Sequence, residues 1–141
     1  MKYPKSEYVS SVTLMFLGDD LIPTDVTNLL ALRPNQSWKR DDVKSFGSSS
    51  HKYKWGGWKK YLPKSLHEKT LDVQVAYWAR TLASKKTPIR KISKSSALCA
   101  LDCFITTSAT ASIIIPVELQ KSIAALGLEL QVSFWASTSD T

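Results

Sequence analysis

Hydrophobic and polar residues alternate near the start of the chain and again near its end. The first alternating segment runs from Tyr8 to Leu17 and stops at Gly18-Asp19-Asp20. A period of two places side chains on one face of an extended strand, so both segments are predicted to be β-strands. The apolar residues on one face are Val12, Leu14 and Phe16 in the first segment, and Leu128, Leu130, Val132 and Phe134 in the last.

Four segments have apolar residues at helical spacing. Pro23 and Pro116 each suit the first position of a helix, and the first helix is predicted to finish at Leu32. Ser65-Leu66-His67-Glu68 forms a capping box before a helix predicted to reach about Ser84. The apolar stripes are Val26, Leu29 and Leu30; Leu71, Val75, Trp78 and Leu82; Ile89 and Ile92 after Pro88; and Leu119, Ile123 and Leu126 before Gly127, a suitable left-handed cap.

The segment from Gln36 to Leu62 has few aliphatic residues. It predicts two short strands, around Trp38 and around Tyr53 to Tyr61, joined by a flexible loop at Ser45 to Ser50. Further along, Ala97 to Thr106 is predicted to be a strand with Ala111 to Ile115 as its hairpin partner. The middle of the chain is therefore expected to add a hairpin to the regular strands and helices on either side.

The order of these elements predicts an α+β fold, a mainly antiparallel sheet with helices packed on one face. Ferredoxin-like elements with an inserted Trp-rich hairpin satisfy the order. The length of 141 residues, of which 43% are hydrophobic, predicts a single domain over 1–136 and a polar tail over 137–141. No run approaches the roughly 18 apolar residues of a transmembrane helix.

Positive charge is concentrated in the middle of the chain. Between Lys39 and Lys94 there are 15 Lys and Arg against 4 acids, a net charge of +11, whereas the rest of the chain carries −4. Aromatic rings interrupt this charge, most densely from His51 to Tyr61. Cations interleaved with rings are typical of surfaces that bind anionic partners. The predicted binding residues are Trp38, Lys52, Tyr53, Lys54, Trp55, Trp58, Lys59 and Lys60.

Three interpretations of this basic, Trp-rich region remain open. An acidic protein would be steered by the lysines and anchored by Trp55 and Trp58. A single-stranded nucleic acid would place phosphates on lysines and bases on rings, although strand alternation separates Lys52 and Lys54 from Tyr53 and Trp55. In the third interpretation the tryptophans pack under helices and the lysines form an ordinary solvated surface.

Cys99 and Cys103 are the two cysteines. If both lie on one strand, their Cα atoms are about 13 Å apart. A disulfide requires less than about 7 Å, so we expect buried free thiols and a reducing, cytoplasmic location. No signal peptide is predicted at the N-terminus.

Chemical motifs are sparse. His51 and His67 have no Cys or carboxylate at ligand spacing, so neither a metal nor another cofactor is expected. Asp19-Asp20 suits a turn, and no Gly-rich phosphate loop precedes a helix. Asp102 lies among apolar residues and is a site candidate if it faces a cleft. The sequence favours a non-enzymatic protein, and an enzyme using Asp102 or a histidine would need a concave pocket there.

Several motifs resemble the bacterial domain family DUF4279. They are Val12-Thr13-Leu14, Gly18-Asp19-Asp20-Leu21, Pro23, Leu30-Ala31-Leu32-Arg33-Pro34, Trp38, Gly57-Trp58, Pro116, Leu119 and Leu126-Gly127-Leu128. The resemblance covers nearly the whole chain, with Ala31 where glycine is usual. It implies no defined reaction. By analogy with other small solitary α/β proteins, an immunity protein that binds and neutralises a toxin is one expectation.

Overall fold

The computed structural model describes residues 8–46, 49–95, 98–108 and 110–136, which form an α+β fold. The strands are β1 (Tyr8–Gly18), β2 (Gln36–Trp38), β3 (Val43–Phe46), β4 (Ser49–Lys52), β5 (Gly56–Lys60), β6 (Leu98–Thr107) and β7 (Glu129–Ala136). The helices are α1 (Pro23–Leu30), α2 (Leu71–Thr81), α3 (Lys86–Lys94) and α4 (Val117–Ala125), with a 3-10 turn at Lys64–Leu66.

Five strands form the main sheet in the order β2-β5-β1-β6-β7, and β3 and β4 form a separate hairpin. β1 is central and runs antiparallel to both β5 and β6. β7 is parallel to β6, because the intervening α4 carries the chain back along the helix-covered side of the sheet. The sheet is therefore mainly antiparallel with one parallel edge.

The hydrophobic core lies between one face of the sheet and the helices. Val12, Leu14 and Phe16 alternate along β1 and are each fully buried. α2 packs across this face, where the Trp78 indole N–H donates to the Val12 carbonyl at 2.9 Å. The alternation in β1 and the helical stripe of α2 thus bury their apolar faces against each other.

Most of the predicted elements are confirmed. β1, β6 and β7 occupy the predicted segments, and α1, α3 and α4 begin near their prolines. Gly127 adopts the left-handed conformation expected of a cap, with φ of 77°. Ala31 ends α1 with φ of 55°, a conformation that suits glycine better and so agrees with the residue expected there from the resemblance.

Two predicted features of the sheet are wrong. Residues 111–115 form no strand, because both edges of β6 are already paired, with β1 and with β7. The segment predicted as a loop from Ser45 to Ser50 instead contributes to the β3–β4 hairpin, apart from residues 47–48, which lie outside the described residues. Both cases depend on which strands pair with each other, and this pairing cannot be read from the local sequence pattern.

The predicted start of α2 is also wrong. Ser65 lies in the 3-10 turn, and the helix begins at Leu71 with no side-chain cap from Thr70. The cap comes from elsewhere in the fold, since the Leu71 N–H donates to the Tyr8 hydroxyl at 3.0 Å. None of the described helices is long and apolar enough to cross a membrane.

A buried polar network fixes α2 to β1. Gln74 is fully buried, and its carbonyl accepts the Ser10 hydroxyl at 2.7 Å. Its amide group donates to the Ser10 carbonyl and to the Leu66 carbonyl, each at 2.9 Å. Because Gln74 bonds to Ser10 and to Leu66 at once, its side chain holds the strand, the helix and the 3-10 turn together.

Replacing Gln74 with alanine should therefore be costly. Gln74→Ala leaves the buried Ser10 side chain without its partner and opens a cavity, so we expect a loss of roughly 3 kcal/mol in the free energy of unfolding. Urea denaturation measures the loss. The same change at exposed Gln120 is the control, with an expected effect within about 0.5 kcal/mol. Equal losses for the two variants would contradict the role given to this network.

Candidate binding site

The candidate site lies on the sheet face that points away from the helices, here called the outer face. On this face Met15 and Leu17 of β1 stand opposite Lys59 and Gly57 of β5. Trp38 of β2 stands on the other side of Gly57. β1, β5 and β2 thus form a floor with apolar side chains at its centre and a tryptophan at its edge.

The position of Trp38 depends on Gly57. A Cβ atom added at Gly57 would overlap the indole of Trp38, so the ring occupies space that only glycine leaves open. The indole N–H of Trp38 donates to the Trp55 carbonyl at 3.0 Å. The ring also stacks on Tyr53, with centroids 4.8 Å apart and planes at 20°. One tryptophan therefore anchors the segment from Tyr53 to Trp55 to the sheet.

The β3–β4 hairpin forms one wall of the site. Its base is closed by backbone bonds between Tyr53 and the turn that follows β2, at 2.9 Å to Asp41 and 3.0 Å to Asp42. Asp41 has φ of 73°, and the Asp42 carboxylate accepts the Lys39 N–H at 2.8 Å, which stabilises this tight turn. The hairpin register then places Lys44 beside His51.

These elements enclose a pocket of about 440 Å³. We call it the basic aromatic pocket, and its lining residues are Met15, Leu17, Gln36, Trp38, Lys44, His51, Lys52, Tyr53, Lys54, Trp55 and Lys59. None of these described lining residues is acidic. Four lysines and a histidine around three aromatic rings and an apolar floor can hold an anionic group and an apolar group together.

Two lysines of the pocket are held above aromatic rings. The Lys44 ammonium lies 5.3 Å from the centre of the Tyr53 ring, and the Lys59 ammonium lies 5.8 Å from the centre of the Trp38 ring. At these distances the negative face of a ring attracts a cation. The rings therefore position positive charge at the wall of the pocket and partly offset the repulsion between lysines.

Six of the eight predicted binding residues line this pocket. They are Trp38, Lys52, Tyr53, Lys54, Trp55 and Lys59. The expected separation of rings from lysines does not occur, because residues 53–55 precede β5 and do not follow strand alternation. Rings and cations consequently face the same volume.

Trp58 and Lys60 lie on the opposite face of the sheet. Trp58 is fully buried, packs edge-on against Phe16 and donates its indole N–H to the Thr27 hydroxyl at 3.0 Å. Lys60 donates to the carbonyl of Arg33 at 2.9 Å, beyond the end of α1. These contacts correct the expectation that Trp58 anchors a partner, since no partner can reach it in the folded protein.

Five lining residues were not predicted: Met15, Leu17, Gln36, Lys44 and His51. One signal for Met15 and Leu17 was present in the sequence, because β1 is apolar at positions that alternate with its core residues, which indicates that both faces are covered. Lys44 reaches the pocket through the hairpin, and the register of that hairpin carries no local signature in the sequence.

The other candidate groups lie apart from this pocket. Asp102 is half-buried on β6, opposite Thr13 and beside Gln131, and it does not line the pocket. His67 is exposed after the 3-10 turn. Among the described residues no group of three or more His, Cys, Asp and Glu side chains could hold a metal ion.

A second groove of about 410 Å³ lies between α2 and α4. Its wall carries charges of both signs, from Asp72, Arg80 and Glu118, around apolar residues such as Val73 and Leu119. No aromatic ring is among its described lining residues. The charged residues that line the basic aromatic pocket are all basic, whereas those of the groove are of both signs. The basic aromatic pocket is therefore the candidate site.

Comparison with protein families places this architecture in a known group. The family model described as domain of unknown function DUF4279 matches residues 6–137. The chain belongs to the DUF4279 family. No curated protein and no solved structure matches the chain in the corresponding comparisons. For this DUF4279 protein, function therefore has to be argued from the pocket.

The tryptophans of the DUF4279 protein should differ sharply in their access to solvent. Trp55 is 45% exposed, whereas Trp58 and Trp78 are fully buried. We expect a soluble paramagnetic agent to broaden the fluorine NMR signal of Trp55 in fluorotryptophan-labelled protein and to leave the signals of Trp58 and Trp78 sharp. Assignment comes from Trp→Phe variants, and a broadened Trp58 signal would contradict the description of the site.

The two thiols should be unreactive in the native protein. Burial, aided by the nearby Glu129 carboxylate, raises the pKa of Cys99 to about 11, and burial with the adjacent Asp102 carboxylate raises that of Cys103 to about 12. Both thiols stay protonated at neutral pH, which suppresses attack on disulfide reagents. We expect slow reaction with dithionitrobenzoate in the native state and fast reaction in urea.

The raised pKa values also predict how stability depends on pH. Because the folded state holds the thiol protons more tightly, this stabilisation is complete below the unperturbed value of 9.0 and is lost as the pH rises through about 11 to 12. Urea denaturation should show a smaller loss of stability at alkaline pH in Cys103→Ala than in the wild type. Identical pH profiles would contradict the assignment.

Proposed function

We propose that this DUF4279 protein is a non-enzymatic protein-binding domain that takes an acidic partner into the basic aromatic pocket. The observation that supports the proposal is the composition of the pocket wall, where four lysines and His51 surround aromatic rings and no described lining residue is acidic. A partner that inserts a carboxylate beside an apolar group would complement both parts of this lining.

The state of the rings favours a protein over a nucleic acid. Binding of a single strand uses successive open ring faces on which bases stack. Here Trp38 is only 9% exposed, because it lies against Gly57 and stacks on Tyr53. Tyr53 in turn carries Trp38 on one side and has the Lys44 ammonium near its ring. Trp55, 45% exposed, offers the ring surface to a ligand.

Trp55 is accordingly the proposed anchor. Tryptophan at the centre of an interface commonly contributes much of the binding energy, because it buries a large area with few rotatable bonds. Lys52 and Lys54 are exposed beside it and would steer an acidic surface during association. Lys59 is half-buried inside the pocket and would contact the inserted carboxylate. A toxin with an acidic surface is a partner of this kind, and an immunity protein would block it by covering that surface.

Selection from random peptides tests the chemistry of the pocket without a known partner. We expect peptides selected on the wild-type protein to be enriched in Asp and Glu, with an apolar residue nearby. Trp55→Ala should weaken their binding by about 30-fold or more, the effect of losing an interface hot spot. Phe104→Ala is the control, because Phe104 is 44% exposed, close to the exposure of Trp55, but lies on β6 and does not line the pocket.

A second measurement separates the nucleic-acid hypothesis from the proposal. Binding of a random single-stranded oligonucleotide is followed by fluorescence anisotropy at low and physiological salt. Strong binding that falls steeply with salt and is lost in Trp55→Ala would overturn the proposal in favour of nucleic acid. Selected peptides without acidic enrichment, or bound equally by Trp55→Ala, would also overturn it.

A further inference from the structure

The main sheet has two edge strands, β2 and β7, which differ in length. β2 forms one edge with three residues, and the chain leaves it directly into the turn that leads to the β3–β4 hairpin. β7 forms the other edge with eight residues. No strand within the described residues pairs with its outer side. A long edge leaves a row of backbone donors and acceptors available for pairing with another strand.

The sequence of β7 does not protect this edge. Glu129–Ala136 contains neither lysine nor proline, the residues that commonly prevent edge pairing. Instead it exposes large apolar side chains: Phe134 is 66% exposed, Trp135 is 63% exposed and Val132 is 45% exposed. Val132 and Phe134 point to one face and Trp135 to the other, so a strand added at this edge would bring its own side chains against all three.

The distribution of charge does not oppose a second copy of this chain as that strand. Like-charged copies repel, but the net charge of +11 belongs to residues 39–94, and β7 belongs to the remainder, which carries −4. The basic aromatic pocket is built on β1, β5 and β2, and β1, the nearest of these strands, lies two strand spacings, about 9 Å, from β7. Joining two copies at β7 keeps their basic regions at opposite ends of the assembly.

We propose that this protein forms a symmetric dimer in which β7 pairs antiparallel with the β7 of a second copy. The twofold axis runs perpendicular to the sheet, and the two five-stranded sheets become one continuous sheet. With the axis at Ser133, Val132 lies opposite the partner's Phe134 on the helix-covered face. This register also leaves Glu129 outside the paired region, so no charge is buried.

The exposed apolar side chains of β7 supply more than half of the surface that a specific dimer buries. Given the usual area of an aromatic side chain, the exposed parts of Phe134, Trp135 and Val132 amount to roughly 300 Å² per copy. The six side chains of a dimer supply roughly 600 Å² of apolar surface. The backbone of the paired strands and the flanking side chains add to this and bring the total toward the roughly 1,000 Å² of a specific interface.

Cysteine cross-linking tests the proposed axis. Directly paired residues in an antiparallel ladder have Cα atoms about 4.5 to 5.5 Å apart, within reach of a disulfide. Ser133→Cys should therefore give a covalent dimer on mild oxidation. Ser11→Cys is the matched control, since Ser11 lies in the same row of the outer face, two strands in from the edge, and should remain monomeric. Cys99 and Cys103 are buried and do not compete.

Sedimentation of uncross-linked protein gives the second test. We expect the wild type to dimerise at concentrations of roughly 100 μM or below and Phe134→Lys to dimerise at least tenfold more weakly. Val9→Lys is the control, because Val9 is also 66% exposed but lies on the central strand. A wild type that stays monomeric at that concentration, or a Ser133→Cys variant that cross-links no faster than Ser11→Cys, would overturn the proposal. Circular dichroism of each variant is the control that it remains folded.

Discussion

Over residues 14–17 strand β1 is hydrogen-bonded along both edges, and at Met15 and Phe16 it is buried on both faces, so the two layers of the molecule depend on it. Phe16 lies in the core opposite Trp58 on one side and Cys99 on the other. Met15, one residue earlier, points to the outer face and is only 3% exposed, because the hairpin and the aromatic residues cover it. An ordinary antiparallel sheet with helices on one face leaves its other face to solvent. Here the strand that organises the core also supplies the floor of the pocket.

The pocket follows from a small set of packing constraints on that outer face. The absence of a side chain at Gly57 allows the Trp38 indole to lie against the sheet, and Tyr53 stacks on the indole. Lysines then lie above the rings, where the attraction of a cation to a ring partly offsets like-charge repulsion. The offset is partial, since each such contact is worth only about 0.5 to 1 kcal/mol at an exposed site. A bound carboxylate would lower the remaining electrostatic energy, which is the physical reason to expect an anionic ligand.

Local sequence patterns predict individual strands and helices, but they miss features that depend on contacts between residues far apart in the chain. β1 and α4 were predictable because each combines a clear period with a proline, a glycine or a turn at its end. The cap of α2 was not, because the Tyr8 hydroxyl that accepts the Leu71 N–H is distant in the chain. Six site residues were found because cations and rings alternate within a short segment. Trp55 and Trp58 look alike in such a pattern, but β5 begins at Gly56, so Trp55 stays on the surface before the strand and Trp58 points from the strand into the core.

The proposed dimer would also determine how the binding sites are presented. Pairing about an axis perpendicular to the sheet keeps the two outer faces on the same side of the assembly. The two basic aromatic pockets would therefore open in the same direction, separated by the strands between β5 and its counterpart in the second copy. A partner that presents two acidic segments could occupy both pockets at once, and the second contact would form at high effective concentration. Modest affinity at each pocket is then enough for tight binding. This matters because Trp38 and Tyr53 stack on each other and leave little ring surface for a ligand.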